Sequence, residues 1–219
     1  MTSLESKGKA LKSYLSQGEK FSVVQAFQII KQVLFAVKEV HEAGFLHLDI
    51  QDGNVFIKGS LSEEDNLVSL VDFGAARPVC EDGLCPVIRD RALFSTIGFE
   101  SPEIVGHNDG TLRLGAEADL YSVGYLLLLM LTGKRYTQRE LDSANIGLYL
   151  SKRKLKKLNC PAHMADKVHQ IISKALKKTP EERYHSCEEM LADVSDLIHA
   201  LQPYKSDLSQ VVYLSLIHI

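Results

Sequence analysis

The sequence predicts a mainly α-helical domain carrying one small β-hairpin. Three observations lead there. Apolar residues recur at three- and four-residue steps through Val23, Phe27, Ile30, Leu34 and Val37, which is the pattern of a long amphipathic helix. Helical periodicity returns over residues 116–131, 163–176 and 187–201. Between the first helix and the others, residues 55–58 and 67–71 are short β-rich runs separated by a polar stretch, 59–66, as in a hairpin.

Taken in order, residues 4–15 form a short helical candidate, stopped by Ser16, Gln17 and Gly18. The long helix starts at Ser22 and ends near Gly44. Residues 74–98 mix charge, Pro78, Pro86 and glycine without periodicity. A loop of that length in a compact domain is usually functional. The apolar run 123–131 reads as a buried helix closed by Gly133, and the second half of the chain is expected to be all helical.

A chain of 219 residues with 45% hydrophobic composition can bury one substantial core. A net charge of -3 supplies no electrostatic footprint for nucleic acid, so none is expected as a partner. The concentrated basic stretch, Lys152, Arg153, Lys154, Lys156 and Lys157, reads as a solvated helix face. The polar opening residues lack a signal peptide's apolar stretch, and no run reaches the roughly 18–20 apolar residues needed to cross a bilayer. A cytoplasmic protein without a membrane segment is the expectation. Cys80, Cys85, Cys160 and Cys187 lack paired Cys-x-x-Cys spacing, which argues against structural zinc and for reduced thiols.

The chemistry-bearing residues fall in two loops. His47-Leu-Asp-Ile-Gln-Asp-Gly-Asn54 puts Asp49 and Asn54 five residues apart, between the long helix and a β-run. In phosphoryl transfer an aspartate orients the attacking hydroxyl while a nearby amide oxygen helps hold Mg2+ on the phosphates. After the hairpin, Val71-Asp72-Phe73-Gly74 offers a carboxylate at a strand end, suited to a metal that bridges phosphates. Phe73 is expected to pack inward.

These two loops resemble the catalytic loop and the metal-binding Asp-Phe-Gly of the protein kinase superfamily. Ser101-Pro102-Glu103 is similar to the Ala-Pro-Glu that ends a kinase activation segment, and Asp119-Leu-Tyr-Ser-Val-Gly124 to the start of its central buried helix. The resemblance spans residues 1 to about 201. It implies a protein-kinase-like large (C-terminal) lobe, α+β in the intact domain, of a bacterial eukaryotic-like serine/threonine protein kinase. It further implies ATP and Mg2+ as cofactors and a protein substrate as partner. By the same resemblance Asp49, Gln51 and Thr96 are implied to take catalytic places and Asn54, Phe56 and Asp72 to bind the nucleotide, with Asn54 and Asp72 on the metal and Phe56 beneath the adenine ring. Glu103 is implied to pair with Arg183, and Asp119 to brace the catalytic-loop backbone.

The chain departs from the pattern at Leu48, where an arginine is usual, and at Gln51, where a lysine is usual. Both substitutions remove a cation, the first from activation-loop switching and the second from charge stabilisation. No Gly-x-Gly-x-x-Gly occurs, so residues 1–203 read as a large lobe whose small lobe is missing. Residues 204–213 then form an extension, and 214–219 match a sequencing-adapter translation and are expected to be a scar. Two other readings compete. One is a small-molecule phosphotransferase of the aminoglycoside or choline type, against which Ser101-Pro-Glu103 and the 119–124 motif argue. The other is a pseudokinase or scaffold, favoured by Leu48, Gln51 and the absent lobe.

Overall fold

The computed structural model describes residues 8–59, 67–88, 98–106, 111–143 and 146–202. Its mass lies in helices. Helix α2, Val23–Glu42, starts where Ser22 and Gln25 cap each other reciprocally: the Ser22 hydroxyl accepts from the Gln25 N–H and the Gln25 side chain accepts from the Ser22 N–H. Its buried stripe, Val23, Phe27, Ile30, Leu34 and Val37 among others, lies in the main core.

Helix α4, Ala116–Thr132, has no polar face; residues 118 through 131 are all buried. A helix that is apolar all round must be surrounded, and α4 is packed by α2 and by α8, Ala165–Ala175. Gly124 makes the α8 contact possible, because a Cβ there would lie 2.4 Å from the Ala175 Cβ. Helix α9, Cys187–Leu201, packs along α2 and closes the core. Five shorter helices complete the set among the described residues: α1 Leu11–Ser16, α3 Pro102–Gly106, α5 Gln138–Ser143, α6 Ile146–Tyr149 and α7 Lys152–Lys157.

The hairpin is present as β3, Val55–Lys58, and β4, Leu67–Leu70, paired from Val55↔Leu70 to Lys58↔Leu67. Strand β1, Lys9–Ala10, joins it on the other edge of β3. The helix expected over residues 4–15 therefore begins only at Leu11, within the described residues. Pairing of Lys9 with Ile57 and Ala10 with Phe56 overrides the local helical preference.

The stretch expected to be one long loop contains β5, Arg77–Pro78, paired with β2, Phe45–Leu46, and β6, Cys85–Ile88, paired with β7, Thr111–Leu114. Strand β7 also corrects the expectation of an all-helical second half. Two- to four-residue strands are too short to show alternation, and their partners lie more than twenty residues away. Cys80, Cys85, Cys160 and Cys187 are all free thiols, and burial pushes the Cys187 thiol up to about 12. Among the described residues no helix is long and apolar enough to cross a membrane.

Candidate active site

The loop from His47 to Asn54 is held in place before its own side chains are considered. Helix α2 stops at Glu42, and Gly44, at φ 81°, turns the chain into β2. The backbone then hangs on one buried carboxylate. Asp119, in the first turn of α4 and wholly inaccessible, accepts from the His47 N–H and the Leu48 N–H at 2.8 Å each. His41 Nε2 also lies 2.8 Å from the same carboxylate. Leu48 sits at φ 60°, a conformation that costs a non-glycine residue about 1–3 kcal/mol and persists only where surroundings over-determine it. The two charge-assisted hydrogen bonds that the backbone donates to Asp119 supply that constraint.

Within the loop the side chains converge on Asp49. Its Oδ1 accepts from Gln51 Nε2 at 2.8 Å, and its Oδ2 from Asn54 Nδ2 at 2.8 Å. Asn54 Nδ2 donates its second hydrogen to the Asp49 carbonyl at 2.9 Å. Both amide hydrogens of Asn54 are thereby committed, and what remains is its Oδ1, an acceptor.

The hairpin register brings the second loop to the same place. The Val71 N–H donates to the Asn54 carbonyl at 2.9 Å, so Asp72 is the next residue beyond a backbone bond to Asn54. Asp72 is exposed at φ 66°, its carboxylate accepting the Gly74 N–H at 3.2 Å. An amide oxygen and an exposed carboxylate are hard oxygen donors, the set that suits Mg2+ when phosphates supply the rest. Phe56 is half-buried on β3, opposite Ala10. Thr96 lies outside the described residues.

Phe73 does not pack inward: it is 53% exposed. Its ring meets the His47 ring at a tilt of 53°, with centroids 5.0 Å apart, and no other ring meets it among the described residues. Glu103 and Arg183 form a two-point ion pair, Arg183 Nη1 to Oε1 at 2.9 Å and Nη2 to Oε2 at 2.6 Å.

One contact of the loop has no sequence signal. Asp52, 2% exposed, accepts both of its bonds from Arg135 Nη2, at 2.8 and 2.7 Å, across 83 residues. The Asp52 carbonyl also accepts the Lys12 N–H at 2.9 Å. An aspartate inside a glycine-containing loop reads as turn chemistry, and nothing near Arg135 marks it as a partner.

His47 is buried, and burial holds its imidazole below the usual histidine range, with the Asp119 and Asp49 charges opposing. The folded state therefore binds this proton less readily than the unfolded chain. Stability from this group is full above the unfolded value of about 6.5 and is lost as pH falls through that value toward the lower folded one. Melting temperature should drop between pH 7 and pH 5, more steeply for the wild-type chain than for His47→Gln. Equal slopes in thermal melts would show that His47 carries no part of the acid sensitivity.

Fold and site together define a kinase-like domain. The chain belongs to the protein kinase family, whose domain profile, "Protein kinase domain", matches residues 3–194. It is 26% identical over 188 residues to the probable serine/threonine-protein kinase PknB of Lactococcus lactis, covering 86% of this chain and 28% of that protein. It is 30% identical over 183 residues to the serine/threonine-protein kinase PLK4 of Drosophila grimshawi, covering 83% of this chain and 22% of that one. The chain thus spans about a quarter of the length of these curated relatives. Among solved structures, the Mycobacterium tuberculosis PknI kinase domain superposes with a TM-score of 0.60 at 18% identity, over 87% of this chain and 62% of that one.

Proposed function

We propose that the protein transfers the γ-phosphate of ATP to serine or threonine hydroxyls of a protein substrate. The observation that carries this reading is the clamped Asp49 carboxylate, each oxygen held by one amide donor, beside the Asn54–Asp72 pair of oxygen donors. Asp49 keeps free lone pairs on both oxygens after those two bonds, so it can orient an incoming hydroxyl and take its proton. Gln51 and Asn54 fix its direction. Asn54 Oδ1 and Asp72 would hold Mg2+, whose charge offsets that of the phosphates. The serine/threonine-kinase names of the relatives support the acceptor class.

Among the grounds for a scaffold reading, the one with geometry in the site is the neutral Gln51 amide bonded to Asp49 where a cation would serve the phosphates. A single assay decides between the two. Labelled phosphate transfer from Mg-ATP to a generic basic protein is measured in the full reading frame that carries this chain, beside Asp49→Asn. Transfer should fall about a hundredfold or more in the variant while its melting curve is retained. Absence of transfer from a folded wild-type protein, across metals and substrates, would leave the scaffold.

A further inference from the structure

The C-terminal turn of α4 lies roughly 17 Å along the helix from Asp119. There it forms the floor of a cavity of about 660 Å³, walled by the loop after α1 and by α7. We propose that this cavity is a docking site for an acidic peptide segment bearing apolar side chains, presented by a protein partner.

The floor is apolar, built from Leu15, Met130, Leu131 and Leu158. The rim carries Lys20, Arg153, Lys154 and Lys157 against one acid, Glu19, a net charge of +3 (four cations less one anion). Among the described residues Lys20, Arg153 and Lys157 make no ion pair, and Lys154 Nζ donates to a neutral carbonyl, that of Tyr149. By contrast Lys152, on the same helix but outside the cavity, is paired with Asp166.

Helix α7 contains no acidic residue, so Arg153 and Lys157, four residues apart and on one face, repel each other. The C-terminal end of α4 offers only about half a negative charge in return. A solvated helix face accounts for Lys152 and Lys156. It does not account for cations from two separate elements gathered around one apolar floor. A partner that fits must be anionic at the rim and apolar at the centre, and narrow enough to enter a concavity. A free phosphate leaves the floor unused, and a flat lipid surface does not reach it. A peptide of alternating acidic and apolar residues meets all three demands.

The test measures binding and not catalysis, so its outcome is independent of phosphate transfer. A fluorescent peptide alternating Glu with Leu is titrated with the full chain and followed by anisotropy. Binding should weaken about tenfold in the doubly reversed Arg153→Glu, Lys157→Glu protein. It should be unchanged in Lys152→Glu, Lys156→Glu. Melting curves establish that each protein is folded, and Lys20→Glu, in a loop, weakens binding in the same direction without touching α7. Equal affinity of the reversed protein would overturn the proposal. So would equal affinity for a Glu/Ser peptide, which would mean charge alone, or tighter binding of anionic phospholipid vesicles that displace the peptide.

Discussion

Replacing Arg183 by methionine should lower the unfolding free energy by about 3–5 kcal/mol, the range for breaking one partner of a buried ion pair. The side chain is 0% exposed, and the structure uses every donor it has. Nη1 reaches Glu103 Oε1 and the Glu117 carbonyl, Nη2 reaches Glu103 Oε2 and the Lys178 carbonyl, and Nε reaches the Lys177 carbonyl. Its guanidinium also lies 5.0 Å from the Tyr121 ring centroid. Methionine fills similar volume but leaves the Glu103 carboxylate, 17% exposed, and three carbonyls without that donor. Arg183→Lys should rescue little, because an ammonium offers three donors from one point and not five in a planar fork. Urea denaturation of both variants checks this; a loss under about 1 kcal/mol for methionine would contradict the account.

Asp119→Asn should cost about 2–4 kcal/mol, from loss of a charged acceptor shared by backbone donors. An asparagine has one acceptor oxygen, and its amide group would face a backbone N–H that needs an acceptor. Either His47 or Leu48 then loses its bond, and with it the constraint on a left-handed leucine. The distinguishing measurement is amide hydrogen exchange. Protection at His47 and Leu48 should fall far more than protection across α2, whereas a uniform loss would mean general destabilisation and not a released loop.

Much of this architecture is legible in the chain. The four long helices follow from apolar spacing, because each buries a stripe or, for α4, its whole circumference. The hairpin follows from two β-rich runs and a polar turn, and its register then brings Asn54 and Asp72 to one end. What escaped is what depends on distant partners. Lys9 and Ala10 are strand only because Ile57 and Phe56 are there to pair, and β2, β5, β6 and β7 are too short to carry a period. The expectation of an inward Phe73 fails because whether an apolar side chain is covered depends on neighbouring elements, and here the ring is 53% exposed, with His47 its one ring neighbour among the described residues. The Asp52–Arg135 pair joins residues with no local signature at all.

The burial of α4 on every side also governs how the molecule opens. A surface helix can fray while the rest of the domain stands, exposing one face to water. Short of its last turn, which lines the cavity, helix α4 has no face to spare: residues 118 through 129 are covered by α2, α8 and their neighbours, so none can reach solvent until those layers separate. Exchange of its amide hydrogens therefore requires global opening, and α4 keeps time for the whole domain.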